Sequence, residues 1–75
     1  MQTHVTIRMA GPADAAALHQ LEELDAHRIE GDEVLVAEVS GEVRAALPVD
    51  GGRAVADPFR PTAELVDLLA VAARR

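Results

Sequence analysis

At 75 residues the chain has the length of one small domain, with thirteen acidic side chains against seven basic ones, all arginine, for a net charge of −6. That balance repels phosphate backbones and anionic lipid, and a single aromatic residue, Phe59, offers no platform for stacking bases. The absence of cysteine removes disulfides, thiolate metal sites and thiol nucleophiles together.

Val5, Ile7 and Met9 alternate with His4, Thr6 and Arg8, the period of a strand with one buried face. Pro12 then suits a first helical position and Asp14 a first turn, which predicts a helix over residues 12–26. At 100° per residue Ala17, Leu18, Leu21 and Leu24 share one stripe of it. The polar stretch "HRIEGDE" is a connection. "VLVAEV", residues 34–39, is apolar on both sides, so it predicts a strand covered on both faces. Ser40-Gly41 is a tight-turn signal that pairs this strand with "EVRAALPV" in an antiparallel hairpin.

In the second arm of the hairpin Val43, Ala45, Leu47 and Val49 are expected to share a face, and Pro48, with no N–H, weakens the ladder where it sits. "DGG" turns the chain into a short fourth strand over residues 53–57. Pro61 opens a last helix that runs to the C-terminus, with Leu65, Val66, Leu68, Leu69, Ala70, Ala72 and Ala73 on an arc wider than one sheet face needs. The pattern predicts an α+β fold: an antiparallel sheet of about four strands in the order β-α-β-β-β-α.

Two stretches, "VTIRMAGPADAAALHQL" and "VLVAEVSGEVRAAL", resemble the opening strand and helix and the second and third strands of the GNAT superfamily of acyl-CoA-dependent N-acetyltransferases. The resemblance covers most of this chain and the N-terminal half of the family's fold. It implies one helix on each face of the sheet. It also implies that the joint between the fourth strand and the last helix should carry an R/Q-x-x-G-x-G/A loop, whose N–H groups and helix N-terminus hold the pyrophosphate of acetyl-CoA. Here that joint is Asp57-Pro58-Phe59-Arg60-Pro61-Thr62, without glycine, with two residues that lack an N–H and with an added negative charge. The family's frequent general-acid tyrosine has no counterpart, since tyrosine is absent. No catalytic, cofactor-binding or metal-binding residue is carried over.

Other residues invite functional readings. His19 lies away from the leucine stripe, without a carboxylate at a spacing that clearly orients it, and reads as a solvated histidine. Glu22, Glu23, Asp25 and His27, with Glu30, Asp32 and Glu33, read as an acidic surface because they spread around a helix and into a loop. Arg60, near the start of the last helix, is placed to contact an anion or to pair with Asp57 or Glu64, and pairing is the expectation; Phe59 is expected to anchor the joint in the core.

A core this small supplies only about 3–5 kcal/mol, which makes a partner chain an expected stabiliser. With the fourth strand as an edge and the last helix broadly apolar, the expectation is a non-catalytic domain that forms a homodimer, or binds another protein. Val55, Phe59, Leu65, Val66, Leu68, Leu69 and Ala72 form the candidate association surface. No cofactor is expected. The alternative is an acetyl-CoA-dependent N-acetyltransferase completed by a second copy or another chain. The longest apolar run, residues 68–73, is far short of the ~20 needed to span a bilayer. The start "MQTHVTIR" lacks a signal-peptide core, so the expected location is cytoplasmic, with no nucleic-acid or membrane partner.

Overall fold

A computed structural model describes residues 4–74. Strand β1 (Val5–Met9) leads through a short 3-10 turn (Pro12–Asp14) into helix α1 (Ala15–Asp25). Strands β2 (Val34–Val39), β3 (Glu42–Pro48) and β4 (Val55–Ala56) follow, and helix α2 (Ala63–Ala73) comes last. The sheet is antiparallel throughout, with spatial order β1-β2-β3-β4. The fold class and element order are those predicted from the residue pattern. No helix among the described residues is long and apolar enough to cross a membrane.

The double-sided character of β2 divides the interior in two. Val34 and Val36 turn to one face, where they pack with Ala46, Val55 and Leu21 of α1. Ala37 turns to the other, beneath Leu65 and Leu69 of α2, with Ala45 beside it and Ile7, Leu35, Val39 and Leu47 at the margins. One helix therefore covers each face of the sheet. The residues directly under α2 are alanines, and their small size lets the helix sit close to the strands.

Several local departures from the residue pattern have physical causes. The first helical turn is 3-10 because Asp14 N–H donates to the Gly11 carbonyl, three residues back, at 2.9 Å. The α-helix then starts at Ala15 and ends before Ala26, which is left-handed at φ 57°. Ser40 and Gly41 have φ of 51° and 86°, the double positive φ of a type I′ hairpin turn. Beyond it the β2–β3 register slips, so that Ala37 faces Ala45 but Glu38 faces Val43. Arg44 is the extra residue of this β-bulge. The bulge breaks the expected shared face of β3, for Val43 packs on the α1 side while Ala45 and Leu47 stay on the α2 side.

The fourth strand holds two residues, not the five predicted. Asp57 N–H donates to Arg44 O at 3.1 Å, and the register pairs Ala46 with Val55, so the next hydrogen-bonded pair would set Arg53 against Pro48. Pro48 has no N–H to give, and the ladder stops. Gly52 lies close by, where a Cβ would come within 2.8 Å of the Pro48 ring. The last helix starts at Ala63, with Thr62 in the N-cap position, because Asp57 organises the joint before it. Its side chain accepts the Phe59 N–H at 2.9 Å and its carbonyl the Arg60 N–H at 3.3 Å.

Leu69 is wholly buried at the centre of the α2-side core. Leu69→Ala should cost about 2–5 kcal/mol. In a domain this small that is a large part of the total stability, so urea titration followed by circular dichroism should show a much lower midpoint or no folded baseline.

Candidate functional site

The densest group of interacting charges lies at one end of the sheet, below α1. Arg8 projects from β1 onto the α1 side and forms a two-pronged ion pair with Asp14, Nη1 to Oδ2 and Nη2 to Oδ1, both at 2.8 Å. Its Nε donates to Glu38 of β2. Asp14 also accepts the Gly11 N–H at 2.7 Å and is buried. These contacts follow from the fold, since the strand period that sends Val5, Ile7 and Met9 toward α2 sends Arg8 toward α1 and beside Glu38.

This trio forms one wall of a cleft of about 540 Å³ between α1 and the sheet end, whose far side carries Leu24, Val43, Arg44 and Asp57. Its chemistry is that of a fixed ion network. The Arg8 guanidinium and the Gly11 N–H hold the Asp14 carboxyl well below the usual carboxylate range, while the two acids hold Arg8 above its ordinary value. A carboxylate so stabilised stays ionised at neutral pH and is a poor proton carrier. Arg44 is engaged in turn by Glu42, at 2.8 Å.

The joint at Asp57 to Thr62 departs from expectation in two respects. Phe59 does not anchor the core: its side chain is 79% exposed. The Asp57 turn sets the path of the backbone and directs the ring outward, so the aromatic has no structural part in the joint. Arg60 makes no ion pair with Asp57 or Glu64. It borders a second cleft, of about 490 Å³, with Val5, Val39, Arg44, Glu64 and Leu65.

His19 has a closer partner than its spacing suggested. Its Nε2 lies 2.8 Å from Glu23 Oε1, one helical turn on, with the imidazole largely in solvent. The acidic residues nearby take separate structural tasks. Glu22 accepts the Ile29 N–H at 2.8 Å, and Asp25 accepts the Ala56 N–H at 3.4 Å. Among the described residues no three acidic or histidine side chains converge on a point where a cation could sit.

The candidate association residues separate by depth. Val55 and Leu69 are fully buried and Leu65 is 7% exposed, so these three belong to the chain's own cores and not to its surface. Val66 and Ala72 are half-buried, while Leu68 and Phe59 are exposed. The wider apolar surface includes residues outside that set, namely Val5, Met9 and Val71. The alternation of β1 predicts a buried face for Val5 and Met9, but among the described residues no strand lies beyond β1, and both stay exposed. No family model, curated protein or solved structure matches this chain.

The depressed Asp14 sets an acid limit. A carboxyl that is harder to protonate folded than unfolded adds stability above its unfolded value, near pH ~4, and loses it as pH falls toward the folded value. Urea midpoints should therefore hold between about pH 5 and 7 and drop below about pH 4. Asp14→Asn should lower the neutral-pH midpoint and flatten the acid drop, and an unchanged acid profile in that variant would refute the assignment.

Proposed function

We propose that this chain is a non-catalytic, GNAT-like domain that works by association with a second copy of itself, through the side of the sheet that carries α2. The observation that carries the proposal is the placement of the exposed apolar residues. Val5 and Met9 of β1 are 41% and 45% exposed, and Leu68 and Val71 of α2 are 47% and 49% exposed. Glu64 and Leu65 line one cleft with Val5 and Val39, which turns that flank of α2 toward β1. At 100° per residue Leu68 and Val71 fall on the same flank. The four residues thus border one largely apolar strip, shared on the α2 flank by Glu64, of the kind that marks contact surfaces.

Two further considerations support the reading. A two-fold pair of identical chains is the commonest soluble assembly, and a core of this size gains much from added burial. The ion network under α1 is committed to holding β1, β2 and the helix start together, which leaves its groups poorly suited to proton transfer. The Asp57 joint, with Pro58 and Pro61, is short of the N–H donors that an acyl-CoA pyrophosphate would need.

Sedimentation velocity from low micromolar to roughly millimolar protein is the direct test. A mass rising to that of the dimer is expected, and Leu68→Glu should shift the equilibrium toward monomer. A single monomeric species at every concentration would overturn the proposal. Calorimetric titration with acetyl-CoA is expected to show no saturable binding, whereas a micromolar Kd would favour an acetyltransferase completed by a second copy or another chain.

A further inference from the structure

The two edges of the sheet are unequal. Ala10 N–H donates to Val34 O at 2.8 Å, and Ser40 N–H to His4 O at 3.0 Å. With the continuous register from Val5↔Val39 to Met9↔Leu35, this turns the backbone groups of the even-numbered residues of β1 toward β2. Antiparallel alternation then turns the N–H and C=O groups of Val5, Ile7 and Met9 outward, away from the sheet. At the opposite edge, β4 is two residues long, and the outward N–H of Ala56 is taken by the Asp25 carboxylate of α1. At the β4 edge the chain itself takes the outward donor, whereas among the described residues no strand pairs with the outer edge of β1.

Open edges are normally guarded by charge, proline or a bulge, and β1 has none of the three in working form. It contains no proline, and its register with β2 is free of slips. Its one charged side chain, Arg8, is engaged on the α1 side by Asp14 and Glu38. Resting on the association reading above, we propose that the second copy docks by antiparallel pairing of β1 with its own counterpart, about a two-fold axis at Ile7, to give one continuous sheet across both chains.

The residues of β1 complement themselves in that arrangement. Val5 pairs with the partner's Met9, and Ile7 with the partner's Ile7. These odd-numbered positions are the ones whose backbone groups face outward, so about six new ladder hydrogen bonds form. On the α2 side every facing pair is apolar. On the α1 side Arg8 faces the partner's Thr6, so no like charges meet.

Two variants test the pairing. Val5→Pro removes an outward donor that takes no part in the β1–β2 ladder, so secondary structure should be retained by circular dichroism while the dimer seen in sedimentation is lost. The double variant Val5→Cys/Met9→Cys introduces thiols into a chain without cysteine. The two positions lie about 13 Å apart along the strand, too far to bridge internally. Mild oxidation should therefore yield a covalent dimer, reversible by reductant. A wild-type dimer that persists in Val5→Pro and fails to cross-link would overturn β1 pairing and leave association by another surface. A wild-type protein that stays monomeric would overturn both. If Val5→Pro fails to fold, the cross-link decides alone.

Discussion

Arg8 ties three parts of the chain together. One side chain on β1 grips Asp14 at the start of the first helical segment and Glu38 on β2, and Asp14 holds the Gly11 N–H in turn. The strand, the entry to α1 and the second strand are thereby set relative to one another by directional, charge-assisted bonds. This matters in a domain whose α1-side core has only Leu21 fully inserted from the helix. The same network uses up charges that are then not free to serve in the cleft beside it or to guard the edge of β1.

Around that fixed corner the structure is asymmetric. Small residues, Ala37 and Ala45, let α2 approach the sheet closely, so its Leu65 and Leu69 are buried while Leu68 and Val71 remain on an exposed flank. The β4 edge is short because Pro48 ends its ladder, and it is closed by Asp25. The β1 edge is regular, apolar on the α2 side and unguarded.

Much of this architecture is legible in the residue pattern. Alternation in residues 4–9, the apolar run at residues 34–39 and the Ser40-Gly41 turn lead directly to the sheet, because period-two hydrophobicity and positive-φ turns are local properties. The bulge at Arg44 is not legible, since an unbroken alternation at Val43, Ala45 and Leu47 looks the same whether or not the register slips. Phe59 misleads for a related reason. A lone aromatic beside prolines suits a core anchor, but the Asp57 side chain wins control of the joint through a turn whose Asp-Pro signature is itself local.

The sequence by itself determined the order of elements, the two-sided sheet, the hairpin and the weak fourth strand, because each depends on spacing, φ preference or a missing N–H within a few residues. Only the tertiary structure decided which apolar residues are spent on the chain's own cores and which stay outside. It also decided that Arg8 meets Asp14 and Glu38, and that Asp25 closes one sheet edge while β1 stays open. Those outcomes depend on contacts across long stretches of chain, between Arg8 and Glu38 and between Asp25 and Ala56, and no local pattern encodes a distance that only folding brings about.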